Sequence, residues 1–519
     1  MRYGFVIDQN RCIGCHACTV ACKEEHQVPL GVFRTWVKYV EKGQYPHTSR
    51  HFGVMRCNHC DSAPCVTICP TKALYRRSDG IIDFDNQRCI GCKSCMQACP
   101  YDALYIDPNN NTAAKCNFCA HRVENSLEPA CVIVCPTQAI LAGDLDEPSS
   151  NVSRAVATQK VAVRKPEKGT DPKLFYIGME GDILQPNRLE RQSGYVFAEQ
   201  RDHRPKESSF DPSVTREVYD VAHPAPWGWK IAAYLWTKSI AAGVTLVAAA
   251  MLGMVRYFEG PVVNIAIPVI ALAALAATGL LLVLDLKRPD RFFYLLTKPN
   301  FRSWLVIGAY ILMAYGALCT AWLVCGLLYN GVPPALIIAT AIVAVAAACY
   351  SAFLFAQARG RDLWQSPMFF WHLLVQAFVA GAAVILLTTI FSLARSTNLS
   401  RFESTISLYI AGRSFLVLLF FLAVSLAMVL VEAFLPHTTE DVRIAMKNMV
   451  SGSLSMRFWL LAIGAGMVLP IVLLTCVMVI SSSLRTDLVL MAIAAPLSLA
   501  GVWWFEDVWV KAGQSVSLS

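Results

Sequence analysis

The chain has 519 residues, 55% of them hydrophobic, with 45 Lys and Arg against 37 Asp and Glu and a formal charge of +8. The positive surplus contains no basic cluster interleaved with aromatics, which argues against nucleic acid as a partner and suits a basic membrane face. No cleavable export signal is expected ahead of Met1-Arg2-Tyr3, because the first cysteine motif follows almost at once.

Sixteen of the twenty cysteines precede residue 136, in four groups. The first (Cys12, Cys15, Cys18, Cys22) and third (Cys89, Cys92, Cys95, Cys99) have the C-x2-C-x2-C-x3-C spacing of iron–sulfur ligand runs. The second (Cys57, Cys60, Cys65, Cys69) stretches one gap to four residues. The fourth (Cys116, Cys119, Cys131, Cys135) stretches the same gap to eleven. Three closely spaced thiolates can reach three irons of one cubane, while the fourth, followed by Pro in groups two to four, points to a neighbouring cluster. Sixteen thiolates at four per cluster predict four [4Fe–4S] centres. Disulfides suit small exported domains, and zinc sites pair C-x2-C units across longer gaps; neither matches this crowding. Ile13-Gly14 recurs as Ile90-Gly91, and Pro70-Thr71-Lys72-Ala73 as Pro136-Thr137-Gln138-Ala139, so the domain, residues 1–143, reads as a duplicated dicluster unit of α+β ferredoxin type.

Residues 144–226 are rich in Pro, Gly and charge and hold one strand-like run, Lys173–Gly178. They read as an extended connecting arm lying on another subunit. From Trp229 onward, apolar runs of membrane-spanning length recur at roughly 229–257, 262–284, 304–329, 335–356, 368–393, 406–434, 458–481 and 488–506. Segments such as 335–349 lack the polar face a soluble bundle helix would show. Residues 227–510 are therefore predicted to be an all-α bundle of eight transmembrane helices, with 511–519 as a tail.

Loop charge favours the side bearing the N-terminus as cytoplasmic. Connections there carry Lys287, Arg288, Arg291, Lys298 and Arg302, then Arg359 and Arg361, then Arg443, Lys447 and Arg457. The opposite connections carry only Arg395, Arg401 and Arg485. Docking of the cluster domain could produce the same bias, and the missing export signal decides for a cytoplasmic domain on an inner-membrane protein.

Residues 1–150 resemble the four-cluster electron-transfer subunits of the complex iron–sulfur molybdoenzymes. All four groups occur in order, including Arg56-Cys57-Asn58-His59-Cys60 and Lys115-Cys116-Asn117-Phe118-Cys119. Residues 226–510 resemble the NrfD/PsrC family of quinone-interacting membrane subunits, through Pro226-Trp227-Gly228-Trp229, Asp285–Phe292 and Lys298–Trp304. The two parts, usually separate subunits, are here fused. The resemblance implies that groups one and four exchange their last cysteines, as do groups two and three. The implied ligand sets are Cys12, Cys15, Cys18, Cys135; Cys116, Cys119, Cys131, Cys22; Cys57, Cys60, Cys65, Cys99; and Cys89, Cys92, Cys95, Cys69. It also places the group-three cluster nearest the membrane.

No haem is expected, because His372 is the single histidine well inside a predicted span. Electrons should pass directly to a quinone, menaquinone or ubiquinone, held by an aromatic-walled site with donors and proton access. Candidates are Trp229, Tyr234, Lys238, Asp285, Arg302 and His372, with Arg413 and Glu432 as deeper ionisable groups. Each also has an ordinary reading: Lys238 as a snorkelling lysine, Asp285 and Arg302 in a loop salt bridge, His372 as a satisfied core histidine. Cys319, Cys325, Cys349 and Cys476 read as packing residues. No G-x-G-x-x-G follows a strand, so the substrate-converting partner, expected to contain molybdopterin, must be a separate polypeptide. A redox-driven proton pump through Lys238, Asp285, His372, Arg413 and Glu432 is the rival reading. A path crossing the whole bilayer would favour it, and a pocket confined to the cluster side would favour simple quinone exchange.

Overall fold

The cysteine loops turn back on themselves through residues in the left-handed region, and these recur at equivalent places. Gly14 and His16 (φ 70° and 60°) match Gly91 and Lys93 (φ 68° and 63°), while Lys72, Asp102 and Gln138 (φ 51–55°) each follow a Cys-Pro by two residues. The duplication read from sequence is thus also a duplication of backbone conformation. These features come from a computed structural model describing residues 1–44, 46–191, 215–252, 260–329, 331–395, 401–480 and 483–519. The predicted end of the first helix at 257 and the middle of the arm, 192–214, lie outside the described residues, as do the side chains of Arg395 and Arg401.

Two four-stranded sheets flank the cysteine loops. Tyr3–Asp8 runs antiparallel to Ile140–Asp144 and parallel to Leu174–Ile177. Thr35–Gln44 pairs with His47–Arg56 and with Arg216–Tyr219. The arm therefore supplies strands to both sheets of its own cluster domain, where Leu174 and Tyr176 are fully buried. That differs from an arm held out for another subunit. Its apolar run and Glu217-Val218-Tyr219 have unpaired strand edges available within the same chain.

The arm's end is fastened by charge. His223 Nδ1 lies 3.0 Å from Asp102, and Nε2 lies 3.8 Å from Asp220. Burial opposes the imidazolium, but bonding and charge from Asp102 and Asp220 push His223 up to about 9. A raised pKa stabilises the fold fully below the ordinary histidine value near 6.5, and this contribution disappears as pH rises through 9. Amide exchange across 216–226 is expected to quicken between pH 7 and about 9.5 once corrected for intrinsic rates, and a His223→Gln variant to lose that dependence.

Eight helices long and apolar enough to span a bilayer follow: α1 (Trp229–Leu252), α2 (Val262–Asp285), α3 (Trp304–Tyr329), α4 (Pro334–Ala356), α5 (Met368–Ala394), α6 (Ile406–Phe434), α7 (Arg457–Ile480) and α8 (Leu484–Gln514). The cluster domain sits on the ends predicted to share its side. α8 continues past the predicted stop at 506, because Glu506 and Asp507 are buried within the bundle rather than exposed at a helix end. Residues after Gln514 pack where the cluster domain, the arm and the α4–α5 connection meet. Lys38 Nζ donates to the Ser519 carbonyl (2.9 Å), Arg164 to Leu518 (2.8 Å) and Arg361 to Val516 (2.8 Å).

Candidate functional site: thiol sets and a slot beneath them

The sixteen N-terminal thiols fall into four electrostatic neighbourhoods. Cys12 is influenced by Cys15 and Cys135, and Cys18 by Cys12. Cys22 instead neighbours Cys116, Cys119 and Cys131. Cys60 and Cys65 neighbour Cys57 and Cys99, while Cys92 and Cys95 neighbour Cys89 and Cys69. In each case the last cysteine of a group sits with its partner group. Electrostatic influence between neighbourhoods orders them in a line: Cys18 with Cys131, Cys116 with Cys57, and Cys95 with Cys65.

These sites fit iron–sulfur clusters. Cys69, Cys89, Cys92 and Cys95 line one void. Backbone N–H groups freed by the turned-back loops reach sulfur: Ala113 and Gly91 to Cys89 (3.3 and 3.4 Å) and Ala139 to Cys135 (3.2 Å). Arg56, fully buried, donates to Cys131 Sγ at 3.1 Å. Burial pushes Cys18 up to about 11 and Cys92 up to about 12. Thiolates in such places need the positive charge of bound iron, and loading would release protons.

The membrane half grips the loops of the last neighbourhood by their backbone. Lys287 N–H donates to Gly91 (3.2 Å), Arg288 N–H to Ile90 (3.2 Å), and Arg291 Nη1 to Asn86 and Cys89 (2.6 and 3.1 Å). Asn300 Nδ2 donates to Cys69 and Ser303 Oγ to Ile68 (2.8 and 2.7 Å). A Cβ on Gly91 would stand 2.6 Å from that of Lys287, so glycine is needed for this approach as well as for its φ.

Beneath Cys92 and Ser94 lies a narrow slot of about 90 Å³, walled by Trp227, Tyr234, Tyr350, Phe292 and leucines of α2 to α4, with Asp285 at its rim. Asp285 bonds Lys93 Nζ at 2.8 Å, both side chains nearly buried. Lys238 is buried behind the slot, donating to the Ala348 carbonyl and Ser351 Oγ, each at 2.7 Å.

The structure thus brings Tyr234, Lys238 and Asp285 together. Trp229 is 57% exposed, and Trp227, 5% exposed, takes the place on the slot wall. Arg302 borders a different surface cleft, with Asp61 and Arg76. His372 and Glu432 form their own pair at 2.8 Å on α5 and α6. Arg413 bonds Tyr409 of its own helix, in the opposite half of the bundle. Sequence reasoning missed Lys93, Tyr350 and Glu506. Of these, only Glu506, an acid late in an apolar run, carried a local signal.

Comparison with known proteins divides the molecule as the structure does. The family described as "Polysulphide reductase, NrfD" matches residues 217–516. A 4Fe-4S dicluster domain matches 49–145 and a 4Fe-4S binding domain 3–24. The B component of tetrathionate reductase from Salmonella typhimurium is 44% identical over 189 residues, 36% of this chain and 76% of that one. The B component of polysulfide reductase from Wolinella succinogenes is 41% identical over 179 residues (34% and 94%). The arsenate respiratory reductase iron–sulfur subunit of a Shewanella species is 35% identical over 225 (34% and 96%). Each match thus covers about a third of this protein and most of the relative. The chain is a multi-pass membrane member of the NrfD family, fused behind an iron–sulfur electron-transfer domain of the kind found in reductase complexes.

Proposed function

We propose that this chain carries electrons between a separate catalytic subunit and the quinone pool, with the exchange taking place in the slot beneath Cys92. The observation that supports this most is that a cysteine loop forms one wall of an otherwise apolar cleft in the membrane half. Four [4Fe–4S] clusters, one in each thiol set, would supply one-electron carriage when bound.

The protein's own residues do the rest. Arg291, Asn300 and Ser303 fix the last set against the bundle, so the gap to the slot stays constant. Trp227, Tyr350 and the leucines exclude water, while the Tyr234 hydroxyl offers a donor to a quinone carbonyl and Asp285 an acceptor to a quinol hydroxyl, which lipid could not supply. At the other end of the line, Cys15 is exposed and surrounded in sequence by exposed Ile13 and Val20, with Ile133 and Val134 exposed beside Cys135. An apolar patch around the first thiol set is where a catalytic partner, proposed to contain molybdopterin, would dock. The cluster domain is proposed to face the cytoplasm. Docking accounts for Arg288, Arg291 and Arg361, while Arg443 pairs with Glu440 of its own helix and so keeps the charge bias apart from docking.

The test is transfer itself. Anaerobically reduced protein is mixed with menadione, and cluster reoxidation is followed by visible absorbance. Fast reoxidation is expected in the parent, slowed at least about tenfold when Leu305→Trp fills the slot. Parental rates in the filled variant would move the exchange elsewhere.

A further inference from the structure

An ionisable side chain inside a membrane bundle marks function by default, and a buried polar atom without a partner is costly in hydrocarbon. Glu506 on α8 is 1% exposed; its Oε1 accepts from Ser239 at 3.5 Å, and its Oε2 has no partner. Gln376 on α5 is equally buried, with both amide atoms unpartnered. α1, α5 and α8 pack against one another, and the ring of His372, one turn before Gln376, lies tilted against those of Phe505 and Trp509, either side of Glu506 in sequence. Neither Glu506 nor Gln376 touches the slot.

What lies on either side of them gives the arrangement a direction. A vestibule of about 740 Å³ on the cluster-side surface is lined by Glu432 together with Asp362, Lys168 and His437. Glu432 bonds His372 at 2.8 Å. On the inner side, Glu506 lies within electrostatic reach of Lys238. Lys238 bonds Ser351, and its Nζ sits 5.0 Å over the ring of Tyr350 on the slot wall. At about 1.5 Å per residue, Glu432 is ~3 Å, His372 ~6 Å, and Gln376 and Glu506 ~12 Å below the cluster-side helix ends.

We propose that Glu506 is the proton-positioning residue of a path that enters at Glu432, passes His372 and Gln376, and continues through Lys238 and Ser351 to the quinone slot. The proposal rests on the quinone reading above. Reducing one quinone to quinol takes two electrons, which would come one at a time from the cluster that the Cys92 set would hold, and two protons, delivered by this path. Each proton leaving Glu506 is replaced from the vestibule, and quinol oxidation runs the same transfers backwards. The unpartnered atoms of Gln376 and Glu506 are where water would complete the path.

The path turns back rather than crossing. Among the described residues, the buried Asp, Glu, Lys and His side chains of the eight helices are Lys238, His372, Glu506 and Asp507, all within ~14 Å of the cluster-side ends. On this path proton exchange takes place on the cluster side.

The experiment uses the whole protein with its catalytic partner. Glu506→Gln is expected to cut quinone turnover at least about tenfold while the clusters still reduce fully. Binding of 2-heptyl-4-hydroxyquinoline N-oxide, read by fluorescence quenching, should stay within about twofold of the parent, and Glu506→Asp should restore most of the turnover. If Glu506→Gln does not accumulate, Glu432→Gln at the vestibule carries the same expectation. Parental turnover in these variants, loss of analogue binding along with turnover, or failure of the Asp rescue would each overturn the path. A parent that neither binds the analogue nor turns over quinone would instead overturn the quinone reading beneath it.

Discussion

Protein isolated with its clusters intact will contain about sixteen iron and sixteen acid-labile sulfide per chain, and Cys92→Ser will lose about four of each. The same variant should drop quinone turnover to background while the remaining clusters still accept electrons. The asymmetry follows from the linear order of thiol neighbourhoods, in which the set containing Cys92 is the one held against the membrane half. Losing an end of a line breaks delivery without emptying the line. A comparable Cys15→Ser change, at the exposed far end, should instead block entry from the partner and spare exchange between reduced protein and quinone. Stoichiometric zinc, or a b-type Soret band, would overturn the cluster assignment.

Asp285→Ala is expected to abolish quinone turnover and loosen the seat of the cluster domain together. Lys93 and Asp285 are 8% and 12% exposed and bonded at 2.8 Å. Removing one member of a buried pair leaves an uncompensated charge, at a cost of about 3–5 kcal/mol. Replacing both, Lys93→Met with Asp285→Leu, removes that cost. The double variant should regain protease protection of residues 287–303 yet remain at least about tenfold slow with quinone. Recovery of parental turnover would show that Asp285 serves docking alone.

How far the molecule could be read from its sequence depended on distance along the chain. Cysteine groups and apolar runs are local signals, so the ferredoxin-like region and the eight helices were legible. Lys93 meets Asp285 across 192 positions, and no spacing announces that. Trp227 and Trp229 are two residues apart in one aromatic phrase, and only the turn into α1 decides which faces the slot. Glu506-Asp507 looked like the polar end of a helix because buried carboxylates are rare. The arm read as lying on another subunit because its strands pair with segments of this chain more than a hundred residues earlier.

The buried placement of residues 516–519 has a consequence for biogenesis. The electron-carrying domain precedes the bundle in the chain and is translated before it. Its final seat includes the carbonyls of Val516, Leu518 and Ser519, held by Arg361, Arg164 and Lys38. A segment that follows all eight helices in the chain therefore closes the joint to a domain that precedes them. Val516, Leu518 and Ser519 can take these places only once α8 has been made, so the joint between the two halves is completed after both have been translated.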